Sequence, residues 1–226
     1  MISSALIAVE IASATLAFIL VRFMIKPYQY TGESRYIGLP LGFAFLGISY
    51  IFMGVALSPN NPSLVIEEMK WLQLFTQAYA FVFLAVTYIF SKPTPKRNTQ
   101  LWWQILFSIL IFAMIVSCLI VFVPPVFALS SYKTVDEYFR SFNIIFASYI
   151  SLYTLRIHAL KPDRKTMLAP IGYILLAFDQ YSSLIWSLDS SESAFVGAHV
   201  IRLVSLLLFL FISYRAFGAP QKSRRK

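Results

Sequence analysis

The 226-residue chain is 58% hydrophobic and only 13% charged, with a mean hydropathy of +0.70. A soluble domain carries roughly a quarter charged residues, so the composition excludes an ordinary water-soluble globule and points to a membrane protein. The net charge of +9, which in a soluble protein would suggest nucleic acid, is read instead through membrane topology, and no nucleic-acid partner is expected.

Seven apolar segments follow one another, at about 3–25, 36–57, 70–90, 101–123, 141–157, 167–188 and 194–217. Most are near the ~20 residues that a helix needs to cross a hydrocarbon core. The expected fold is therefore all-α: a polytopic membrane protein, one seven-helix domain followed by a basic tail at 218–226. The first segment, "MISSALIAVEIASATLAFIL", has its positive charges after the apolar run. A cleaved signal peptide has the reverse order, so this segment reads as a retained first helix. The fifth is the shortest and is expected to begin a little earlier, near Tyr138.

Charge sets the orientation. Fifteen of the 19 basic residues gather in the first, third and fifth loops, the tail and their flanking helix ends, including Arg22, Lys26, Lys92, Arg156 and Lys161. The other side holds Lys70, Lys133 and Arg140 with six of the ten acids. Short loops with this bias put the N-terminus outside and the C-terminus in the cytoplasm of a multi-pass cell-membrane protein.

Landmarks recur between the two halves. The first and fifth segments are each followed by Lys-Pro, at Lys26-Pro27 and Lys161-Pro162. The second and sixth begin Pro40-Leu41-Gly42-Phe43 and Pro170-Ile171-Gly172-Tyr173, and the third and seventh end Thr87-Tyr88 and Ser213-Tyr214. This order describes a parallel repeat of three helices, one unmatched helix and three more. Convergent punctuation is the other explanation, because Pro suits a helix's first turn and basic residues mark cytoplasmic ends. In topology and length the pattern resembles two groups: the SWEET and PQ-loop sugar transporters, with a midplane site between parallel repeats, and the seven-helix microbial rhodopsins. The chain departs from both. Its apolar segments hold no Pro-Gln pair, and "AHVIRLVSLLLFLFISYR" has no lysine to anchor retinal.

Charged residues at membrane depth cost at least ~2.5 kcal/mol on insertion scales and are functional candidates. Glu10, Asp179 and Arg202 qualify, with His199 as a fourth. At ~1.5 Å per residue from the outer helix ends, these four and Gln73 and Gln77 lie about 5 to 14 Å deep. The expected site is an outward-opening polar cavity of Glu10, Gln73, Gln77, Asp179, His199 and Arg202, with Arg202 paired to Asp179 or Glu10. It would act as a ligand site or gate. The alternative is a buried ion pair that locks the last two helices, with the glutamines as interhelical glue. Arg140 and Asn143 read as interfacial.

No nucleophile motif, paired catalytic aspartates or phosphate loop is present, and the single Cys118 and two distant histidines give no metal-ligand spacing. Neither catalysis, a cofactor nor a metal is expected. The reading is a receptor-like protein or accessory subunit, with the bilayer, a membrane or cytoplasmic protein and a small molecule as candidate partners. The alternative is a small-solute transporter of SWEET-like or retinal-free rhodopsin-like architecture.

Overall fold

A computed structural model describes residues 2–59, 61–89, 97–122, 132–160 and 168–217. Every element among them is helical: α1 (Ile2–Met24), the short α2 (Lys26–Thr31), a 3-10 turn (Ser34–Ile37), α3 (Gly38–Ala56), α4 (Ser63–Ile89), α5 (Arg97–Ile120), α6 (Tyr132–Leu160), α7 (Ala169–Asp189) and α8 (Glu192–Phe217). The Lys161-Pro162 landmark, the basic Lys92 and Lys96, and the tail lie outside the described residues.

Five stretches are long and apolar enough to cross a membrane: Ser4–Thr31, Gly38–Ala56, Ser63–Ile89, Leu101–Ile120 and Glu192–Phe217. α6 and α7 have the length, at 29 and 21 residues. Asp136, Arg140 and Asn143 on one and Asp179, Gln180 and Ser183 on the other dilute their apolar character, and all six side chains are buried. α6 also begins at Tyr132, ahead of the expected start near Tyr138, and α4 at Ser63, well before residue 70. Both segments open with charged residues that lower local hydropathy without interrupting a helix.

Six long helices close a ring. α1 packs on α3, α3 on α4, α4 on α6, α6 on α7, α7 on α8, and α8 back on α1. α5 lies outside, against α4 and the 3-10 turn. Its Leu101, Trp102, Ile109, Phe112 and Leu119 are exposed, as lipid-facing side chains are.

Glycines let neighbouring helices approach, as small residues do in membrane bundles. A Cβ on Gly42 would sit 2.6 Å from Leu84 on α4. A Cβ on Gly172 would sit 2.7 Å from the Phe209 ring on α8. At the second contact Ser205 donates its hydroxyl to the Gly172 carbonyl at 2.9 Å.

The ring interior has two layers. One is aromatic: Phe43 and Tyr173 both pack edge-on against Phe209, and the Tyr88 and Tyr173 hydroxyls meet at 3.0 Å. Tyr153 on α6 adds its ring to Tyr88. Tyr88→Phe should lower stability by about 1 kcal/mol, the usual net worth of one hydrogen bond, measurable as a shifted thermal midpoint in detergent. At the same end Lys26 donates to the Phe217 carbonyl at 2.9 Å, placing a cation at the C-terminus of α8 where the helix dipole favours it. The second layer is polar.

Candidate functional site

The polar layer is built from inward stripes of four ring helices. On α8 the buried residues run His199, Arg202, Ser205/Leu206, Phe209 and Ser213, the three-to-four spacing of one helix face. On α7 they run Tyr173, Leu176, Asp179/Gln180 and Ser183, and on α6 Asp136, Arg140, Asn143 and Ala147. α1 contributes Glu10 and Ser13 above Ala14, Ala17 and Leu20.

Arg202 is the hub. Its Nη1 donates to Glu10 Oε1 at 2.7 Å, and its Nε and Nη2 both lie 3.2 Å from Asp179 Oδ1. The guanidinium carbon stands 4.6 Å above the centre of the Tyr50 ring on α3, a cation–π contact. His199 closes the other side of Glu10, with Nε2 at 2.9 Å from Oε1. That contact is close but out of line for a hydrogen bond. The Nδ1 of the same ring donates to the Phe195 carbonyl at 2.7 Å. Glu10 and Asp179 are fully buried, and His199 and Arg202 are 3% and 4% exposed. Phe195 packs on His199 and Trp186 packs on Phe195, an aromatic cover on the cluster.

The network continues sideways. Gln180 donates to Asp179 Oδ2 at 2.9 Å, and Asn143 donates to Gln180 Oε1 at 3.1 Å. Arg140 and Asp136 form a separate buried pair at 2.8 Å. The interfacial reading of Arg140 and Asn143 is therefore corrected. α6 begins at Tyr132, about two turns before Arg140, and both side chains are buried toward the ring. Their i, i+4 and i+7 spacing with Asp136 was the available signal.

Of the six expected residues, Glu10, Asp179, His199 and Arg202 come together. Gln73 and Gln77 are buried on α4 and bond to each other at 2.7 Å. No described hydrogen bond joins them to the charged group. Sequence reasoning missed Tyr50, Asn143 and Gln180.

Several buried polar atoms have no hydrogen-bond partner among the described residues: Glu10 Oε2, the Tyr50 hydroxyl, Asn143 Oδ1, Gln73 Oε1 and Gln77 Nε2. Such groups are costly in a dry interior. Two apolar grooves flank the ring. One, of about 450 Å³, runs between α6 and α7 past Ser148, Ser151 and Phe178. The other, of about 530 Å³, runs between α1 and α3 and is floored by Tyr50 and Gly54. Among the described residues no group of three or more His, Cys, Asp or Glu could hold a metal ion.

No protein-family model matches the chain, and no curated protein or solved structure does.

Proposed function

We propose that the chain is a non-catalytic, multi-pass cell-membrane protein, receptor-like or an accessory subunit, whose working site is the polar layer around Arg202. The observation that carries this reading is the coincidence of two features. A three-helix charge cluster is buried inside the bundle, and neighbouring buried polar atoms lack protein partners among the described residues. Intramembrane ionisable residues are retained at functional sites in general, and spare buried hydrogen-bonding capacity is what a small polar ligand uses.

In this reading all seven long helices span the bilayer, with the N-terminus outside, and charge bias supports that orientation. The repeat is supported by the packing. Exchanging α1, α3 and α4 with α6, α7 and α8 maps every ring contact onto another. The same exchange matches the Gly42–Leu84 approach with that of Gly172 and Phe209. This symmetry also favours a second reading, a small-solute transporter with a site between repeats. Against it stands the closed aromatic layer of Phe43, Tyr88, Tyr173 and Phe209.

Side-specific thiol labelling separates the two. In a Cys118→Ser background, Ser205→Cys places a thiol one turn inward of Arg202. The receptor reading expects a small impermeant thiol reagent applied from the cytoplasmic face to leave it unmodified. Modification from both faces would replace that reading with transport.

A further inference from the structure

The charges around Arg202 do not balance. Glu10 on α1 and Asp179 on α7 share one guanidinium. Tyr50, from α3, is a neutral phenol under it. The nearby α6 pair, Asp136 and Arg140, neutralises itself. One negative charge is left over in a layer whose charged members are at most 4% exposed, and an uncompensated buried charge is strongly destabilising.

His199 is placed to resolve this. A carbonyl oxygen only accepts, so the 2.7 Å contact with Phe195 requires a hydrogen on Nδ1. In a neutral ring Nε2 would then present its lone pair to Glu10 Oε1 at 2.9 Å. Two acceptors that close in a dry interior repel in any alignment. One further proton removes both problems at once: on Nε2 it makes an imidazolium beside a carboxylate, and on Glu10 it makes a neutral acid beside a neutral imidazole.

We propose that Glu10 and His199 together form a binding site for one proton, and that this proton holds α1 against α8. The site binds no proton in the unfolded chain at high pH, so the stabilisation is present when the proton is held and is lost as pH rises. The inference does not rest on the receptor reading. The proton would be bound in a sensor, a transporter or a purely structural bundle, and the test below reads protonation, not signalling.

The chain has two histidines, so His158→Gln leaves His199 as the only ring to observe. In that full-length protein, nitrogen-15 NMR near neutral pH should show both ring nitrogens of His199 protonated. Failing that, infrared spectroscopy should show a protonated carboxyl band that Glu10→Gln removes. The thermal midpoint should fall as pH is raised and the site gives up its proton. In Glu10→Gln, Asp179 and Arg202 balance with a neutral ring, and that fall should disappear. A neutral ring beside an ionised carboxylate near pH 7, or an unchanged pH slope in Glu10→Gln, overturns the proposal. The nitrogen-15 arm needs no variant within the cluster, and a neutral ring with no protonated-carboxyl band in that same protein overturns the proposal even where Glu10→Gln does not fold.

Discussion

Arg202→Leu should leave little or no folded protein in the membrane. The guanidinium is the only cation paired by hydrogen bonds with both Glu10 and Asp179 among the described residues. Removing it strands two carboxylates in a layer closed to water. Breaking one buried pair in this way costs about 3–5 kcal/mol, and here two carboxylates lose their partner. A typical fold has only about 5–15 kcal/mol to lose. Removing the charges together is a different experiment. The triple variant Glu10→Gln, Asp179→Asn, Arg202→Met should fold, because replacing a buried ion pair by neutral groups of similar volume is often neutral or stabilising. Yield of monodisperse protein after extraction, compared across wild type, single and triple variants, checks both expectations.

Gly38→Ala should be the most damaging of the glycine substitutions. Gly38 opens α3, where a Cβ would collide with the Thr87 hydroxyl and sit 2.8 Å from the Phe83 carbonyl oxygen. A side chain can rotate away, but that carbonyl belongs to the backbone of α4. Overpacking of this kind typically costs 1–3 kcal/mol, at about the upper end when backbone must move. Gly42→Ala and Gly172→Ala should cost less, because Leu84 and Phe209 can shift. Gly197→Ala meets nothing within 4 Å and should be neutral or slightly stabilising, since Ala is the better helix former by about 1 kcal/mol. Thermal midpoints in one detergent would test this order. Equal losses at Gly38 and Gly197 would contradict the packing of α3 against α4.

The central cluster was legible because membrane physics leaves few alternatives. Glu10, Asp179, His199 and Arg202 each interrupt an apolar stretch, and opposite charges at similar depth pair when their helices adjoin. The ring order that makes them adjoin is not written in any one segment. α5 shows why: "LWWQILFSILIFAMIVSCLI" is apolar all round, and that pattern fits a central helix as well as a lipid-facing one. Only the packing puts it outside. Arg140 and Asn143 were read as interfacial for the opposite reason. Their polarity resembles a helix end at the headgroups, and the partners that make it tolerable are Asp136 one turn back on α6 for Arg140 and Gln180 on α7 for Asn143. Gln73 and Gln77 lie four apart on one face of α4 and bond to each other, which leaves Gln73 Oε1 and Gln77 Nε2 without partners among the described residues and ties neither to the charged group. Tyr50 gave no signal, because a lone tyrosine in a helix shows nothing of the guanidinium above its ring.

The reading of the polar layer as a working site, beyond a lock between helices, has one direct test. Wild-type protein and the neutralised triple variant would be gently extracted from their own membrane and compared by native mass spectrometry. The account predicts that the wild type carries a partner subunit or a small polar molecule and that the folded variant has lost it. An identical complement on both proteins would contradict the account and leave Glu10, Asp179 and Arg202 as structural glue.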